Sequence, residues 1–384
     1  MTACAIETTA EDDDREGKYG GSTGRPTGFT TTANGAYAAG LAGAGDALYV
    51  ERWTLDGPEP YAVPLPLDQP EEPHTQLLPL ADGRVLVCRR VDGRRRSFSL
   101  LYPTGPATGE LRLGSVDAPG SEDLVLLPPS PDGICAYALC VGPDTTTLWL
   151  VAGGAFGPER VAEVRGRCSG GVWLDRTGRM LALDRRLGDG PVKAVAVDLE
   201  RGGEVTPLLQ ITEESDDRLL LADPDSGLLL IRSDAPSPGH DRLGWGVLGS
   251  LLPVRFPDCL RLDDAAVTPF AVQPGQVLMP ESCAVALRID AAAGSWVGTW
   301  RPSSRRMDQL AAPQGWLAGT GLWTPEGVLR LPYATPGTPC GLASLEPPSE
   351  PEPAPEPVTV PEGPRVCRPV PLQQAPLTDG RPAD

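Results

Sequence analysis

The sequence predicts an all-β protein, on three observations. First, seven short turns, most carrying Asp, Gly or both, are each followed by an apolar run of strand length; their glycines are Gly45, Gly83, Gly133, Gly178, Gly227, Gly275 and Gly327. Second, these glycines recur at intervals of 38, 50, 45, 49, 48 and 52 residues. Third, no stretch longer than a few residues holds a 3.6-residue apolar period, and the 44 prolines leave no room for long helices. A strand-only repeat of about 40–50 residues is the signature of a β-propeller, one four-stranded blade per repeat. Seven blades is the expected count. Six is the alternative, because the first interval of 38 must draw its later strands from residues 51–74.

The elements follow in order. The runs behind the turns are GDALYV (45–50), GRVLVC (83–88), GICAYALC (133–140), GRMLAL (178–183), GLLLIR (227–232), GQVLMP (275–280) and GVLRLP (327–332). Ahead of most turns lies a second run: TQLLPL (75–80), DLVLLP (123–128), GGVWLD (170–175), RLLLAD (218–223), VTPFAV (267–272) and LAGTGLW (317–323). Run, tight turn, run is the hairpin signal, with Asp-Gly supplying the positive φ of a tight reversal. Further runs follow, such as SFSLLY (97–102), TTLWLVA (146–152), VKAVAVDL (192–199), LGWGVLG (243–249), CAVALRI (283–289) and WVGTWR (296–301). They are too continuously apolar for strands wet on one face, and suit strands sandwiched between blades.

Three segments result. Residues 1–33, polar and glycine-rich, read as disordered. Residues 34–346 are the right length for one propeller. Residues 347–384 open with PPSEPEPAPEP, an extended proline-glutamate spacer, and close on the apolar-basic RVCRPVPLQQAPL (365–377), a docking peptide or a frayed end. The net charge of −18 opposes binding to nucleic acid or anionic membranes, which need a basic footprint. No secretory layout and no membrane-length apolar run is present, which suggests a cytoplasmic protein. Nine scattered cysteines fit reduced thiols.

Catalytic inventory is thin. No C-x-x-C pair exists, and only His74 and His240 are available, so no metal or cofactor site is expected. DPDSGLLLIRSD (223–234) resembles a calcium loop, but Gly227 and Leu228 occupy positions that need a ligand and a glycine. There the hairpin reading prevails. No G-x-S-x-G elbow occurs; Cys168 with His240 is the one conceivable Cys–His pair. Glu213, Glu214, Asp216 and Asp217 cluster in TEESDDR, with Asp263 and Asp264 one repeat later; a solvated acidic loop is the better reading than a glycosidase pair. Among eight tryptophans, Trp316 in APQGWLAG is a candidate surface anchor.

PPSPDG (128–133) is similar to the S-P-D-G hairpin of WD40-like and TolB-like repeats, and LDRTGRMLALDR (174–185) follows the same layout. The resemblance spans residues 43–346, without the Trp-Asp or Gly-His pairs of true WD40 repeats. It implies a site at the rim of a central channel, on loops entering the first strand of a blade or joining its second and third. Entering loops are then 165–171, 211–218, 256–265 and 311–315, and joining loops 91–97, 185–191 and 232–244. The last holds Asp234, His240 and Asp241, which with loop 211–218 form an acidic patch opposite the arginines at 94–96 and 185–186. A face with both signs of charge suits a protein or peptide partner. The expected function is a non-catalytic interaction module with the tail as a second tether. The alternatives are a carboxylate-dependent hydrolase or a small-molecule or sugar receptor at the channel mouth.

Overall fold

The structure, a computed structural model, describes residues 28–118, 123–275 and 278–347. Residues 1–27 and the tail from residue 348 lie outside the described residues, so the readings of both ends fall there.

The strands fall into groups that follow chain order, each an antiparallel meander. The first holds β1 (Thr30–Thr31), β2 (Tyr37–Ala42), β3 (Tyr49–Thr54) and β4 (Tyr61–Leu65). The second is β5 (Gln76–Pro79), β6 (Val85–Arg90), β7 (Arg95–Pro103) and β8 (Thr108–Asp117). The third is β9 (Asp123–Leu126), β10 (Ala136–Val141), β11 (Thr145–Ala152) and β12 (Glu159–Arg165). The fourth is β13 (Arg167–Trp173), β14 (Met180–Arg186), β15 (Val192–Asp198) and β16 (Glu204–Leu209). The fifth has β17 (Asp217–Ala222), β18 (Leu228–Ser233) and β19 (Arg242–Val247), extended by a two-bond bridge between Trp245 and Arg255. The sixth is β20 (Ala265–Val272), β21 (Val285–Ala291), β22 (Gly294–Trp300) and β23 (Asp308–Leu310). The last is β24 (Leu322–Trp323), β25 (Leu329–Tyr333) and β26 (Gly341–Leu345). A single parallel bridge, Lys193 to Asp217, joins the fourth and fifth groups into one sheet. This is a β-propeller.

The core sits between groups rather than within one. Leu78, Leu86 and Phe98 of the second group pack on Ala138 and Val151 of the third. Leu230 and Trp245 of the fifth meet Leu287 and Trp300 of the sixth. The last group returns to the first: Leu317, Ala334 and Leu342 pack against Ala38 and Trp53. Large apolar side chains on both faces of the inner strands explain the continuous runs, since each face meets a neighbour.

Three expectations are corrected. The first hairpin turn is not at Gly45, which lies between β2 and β3, but at Asn34–Gly35 between β1 and β2. There Gly35 takes φ +70°, and its N–H binds the Thr32 carbonyl. The same bond recurs from Gly83 to Leu80, Gly133 to Ser130 and Gly327 to Thr324, while the Gly227 N–H reaches one residue further back, to the Asp223 carbonyl. With Gly35 as the first marker the opening interval becomes 48, in line with the rest. The propeller therefore starts before residue 34: Phe29 stacks edge-on against Trp53 with ring centroids 4.9 Å apart, and β1 begins at Thr30. Finally, GQVLMP is not the second strand of its group. That strand is Val285–Ala291, and Pro280–Ser282 forms a short 3-10 turn ahead of it.

Candidate functional site

Strand direction puts the start of every first strand and the end of every second strand on one face, the entry face. Two second strands end there in arginine, Arg90 and Arg186, and a third carries Arg232 one residue before its end at Ser233. Each stands directly opposite another arginine in the ladder. Arg90 pairs with Arg96, Arg167 with Arg186, and Arg218 with Arg232. Directly opposed residues in an antiparallel pair have Cβ atoms about 5 Å apart, so like charges there destabilise the sheet. An acidic chain thus concentrates opposed positive charges around its channel.

Two clefts open among these pairs. One, of about 380 Å³, runs along β13, with Val125, Leu139 and Val192 as apolar wall and Arg167, Arg186 and Arg218 as polar rim. The other, of about 580 Å³, is lined by His74, Gln76, Arg90 and Arg96 beside β1 and β9 residues. Asp184 sits at the base of the first cleft, 6% exposed. Its Oδ1 accepts the Leu219 N–H at 3.0 Å, and its Oδ2 lies 3.9 Å from the Arg218 guanidinium. Burial pushes its carboxyl up to about 6, against the opposing pull of that hydrogen bond and of Arg218 and Arg232. Gly170 opens the wall, since a Cβ there would come within 3.2 Å of the Asp184 carboxylate.

Arg186 and Arg218 differ from Arg89 and Arg95, which stand outside these pairs and are engaged by carboxylates. Arg89 binds Glu71 at 2.7 Å and Glu110 at 2.9 Å, and Arg95 binds Asp117 at 2.6 Å. Arg186 stands 4.0 Å from Asp216 and Arg218 3.9 Å from Asp184, both beyond hydrogen-bond reach.

The sequence-derived residues divide. Glu213 and Glu214 are exposed, as are His240 and Asp241. Asp216 accepts the Val192 N–H, and Asp234 accepts the N–H groups of Asp216 and Gly239, so loops 211–218 and 232–244 do meet. Those three backbone bonds make both carboxylates loop fasteners. Asp217 is fully buried: it accepts from Lys193, Ile211, Ser215 and Ser233, and cannot touch a partner. Arg185 and Arg186 lie beside the acidic loop rather than across from it; Arg185 and Glu213 line one cleft. Trp316 is half-buried, its indole N–H donating to the Thr320 carbonyl and its ring 5.6 Å from Phe270, so it is not a free surface ring. Cys168 is buried, with burial pushing its thiol up to about 11, the opposite of an activated nucleophile. DPDSG forms the β17–β18 turn, where Asp223 accepts from Ser226 and from Gly275 of the next group.

The arginine pairs were missed because no register was known. Their signal was present: GRVLVCRR, GRMLALDRR and GLLLIR all end in arginine, at positions 90, 186 and 232 behind the turn glycines 83, 178 and 227.

A ring of antiparallel strand groups around a charged channel mouth defines a β-propeller, the class to which this chain's fold belongs. No protein-family profile and no curated protein matches the sequence. Solved structures share the fold. A prolyl endopeptidase aligns over 84% of this chain and 47% of its own, at 15% identity and TM-score 0.51. An acylaminoacyl peptidase bound to a peptide chloromethyl ketone aligns over 83% and 51%, at 11% identity and TM-score 0.51. TolB from Acinetobacter baumannii aligns over 83% and 81%, at 10% identity and TM-score 0.42. The chain spans about half the length of the two peptidases. At these identities the likeness is one of fold, with no specific family. No helix among the described residues is long and apolar enough to cross a membrane.

Proposed function

We propose that the strand groups are seven blades of one ring, and that the ring is a non-catalytic, cytoplasmic interaction module. It presents its entry face to a protein or peptide partner, with residues 347–384 as a second tether. One observation carries this reading: opposed arginine pairs cluster on a single face of a chain whose net charge is −18. A sheet tolerates such pairs at a cost to stability, and a bound partner of opposite charge removes that cost. Of the Cys–His pair named from the sequence, Cys168 is buried with its thiol pushed up to about 11 and His240 stands exposed on its loop.

The test is affinity capture from native lysate with the full chain and with a chain ending at Glu346. A specific partner retained on truncation supports binding through the ring. A partner lost on truncation assigns the function to the tail and leaves the ring a carrier. No partner with either bait overturns the reading.

A further inference from the structure

The cleft along β13 has the features of a receptor for one chemical group. Its rim carries Arg167 and Arg186, opposed in one hairpin, with Arg218 reaching in from the next group. Arg186 and Arg218 donate no side-chain hydrogen bond to any described residue, and their nearest carboxylates are 4.0 and 3.9 Å away. Among the described residues that line the cleft, the one carboxylate is that of Asp184, buried at its base and held by the Leu219 N–H. The wall behind is apolar, formed by Val125, Leu139 and Val192. Guanidinium groups present paired N–H donors that match the two oxygens of a carboxylate or a phosphate.

We propose that this cleft binds an oxyanion carried on an extended peptide, clamped between Arg186 of one strand group and Arg218 of the next. This rests on the reading of the ring as a peptide-binding module and names what it recognises. The shared chemistry is a carboxylate or a phosphate monoester, whose oxygens accept from the Arg186 and Arg218 donors that no described residue engages by a hydrogen bond. Acidic side chains and phosphorylated serines are the two sources.

The test uses the full chain and three fluorescein-labelled peptides of one length. One carries three consecutive glutamates, the second glutamines in their place, and the third a single phosphoserine among glutamines. Fluorescence anisotropy should show the glutamate or the phosphoserine peptide binding, and whichever binds identifies the source. The glutamine peptide should not bind. The double variant Arg186→Gln/Arg218→Gln should weaken binding by about tenfold or more, as expected for losing charge-assisted hydrogen bonds. Its melting temperature should not fall, because like charges have been removed; a folded variant makes the loss of affinity specific. Arg95→Gln, on the same face but bonded to Asp117, should leave binding unchanged. Equal binding of all three peptides, binding of none, or unchanged affinity in the double variant overturns the proposal. If the double variant still captures the lysate partner, the oxyanion site falls and the interaction module stands.

Discussion

At the scale of single residues, two buried aspartates have opposite thermodynamic signs. Asp217 accepts four hydrogen bonds, and Lys193 spends its ammonium on Asp217 and on the Thr212 and Ser215 carbonyls. Truncating one partner of a buried pair leaves the other uncompensated, so Asp217→Ala should cost about 3–5 kcal/mol in a denaturant titration. Asp184 has no such compensation. Its carboxyl is raised to about 6 from 3.8, so the folded state holds its proton more tightly than the unfolded chain does. Its contribution is therefore full below the unfolded value and is lost as pH rises through the folded one. The loss amounts to about 3 kcal/mol above neutrality. Asp184→Asn keeps an oxygen for the Leu219 N–H and has no charge to bury. Thermal melts should show it more stable than the parent at pH near 7.5, with roughly two thirds of that advantage gone near pH 4.5. An equal advantage at both pH values would mean that ionisation of Asp184 is not the cause. The two roles could not be read from TEESDDR or LALDRR, because burial and partner both come from the neighbouring group.

At the scale of elements, the turns were the most legible part of the chain. Asp-Gly at 82–83 and 132–133 announces a reversal through local backbone preference alone, and the inner hairpins of the second to fifth and last groups turn at the marked glycines. The first escaped because its leading strand is two threonines long and carries no apolar signal. The sixth was misplaced by a long loop in which valine and leucine mimic a strand. Outer strands such as β8, exposed along much of their length, lack a strong apolar pattern. The register that opposes arginine to arginine is a property of two strands together and is invisible in either. Turn contacts also separate glycines that look alike. A Cβ at Gly133 would meet the Ala81 methyl of the preceding group at 2.5 Å, with φ at +68°; Gly45 has φ +56° and open space around it. Gly45→Ala should cost about 1 kcal/mol from backbone strain alone. Gly133→Ala should cost clearly more, because a short, stiff neighbour must move. Equal midpoints in urea for the two variants would show that the contact between turns is soft.

At the scale of the whole molecule, stability is a sum over interfaces between neighbouring groups, much as in a linear array that has been curled round. Most joints carry a short connecting chain as well as packed side chains. At the joint between the last group and the first, as at every joint except the fourth to fifth, no strand of one pairs with the other among the described residues; what sets it apart is that no connecting segment between consecutive groups crosses it, and Phe29, Ala38, Trp53, Leu317, Ala334 and Leu342 make the contact. Hydrogen–deuterium exchange should therefore report the fastest sub-global opening at β1–β2 and β25–β26, and the slowest at β14–β15 and β17–β18, where the parallel bridge and the Lys193–Asp217 pair join two groups. Uniform protection round the ring would show that packing alone closes it as firmly as a shared strand.

That one joint turns a closed wheel into a spring clip. Its arms are held by grease rather than by thread, and cold weakens hydrophobic contact while leaving backbone pairing largely intact. Chilling should loosen the clip at its mouth before it disturbs any blade.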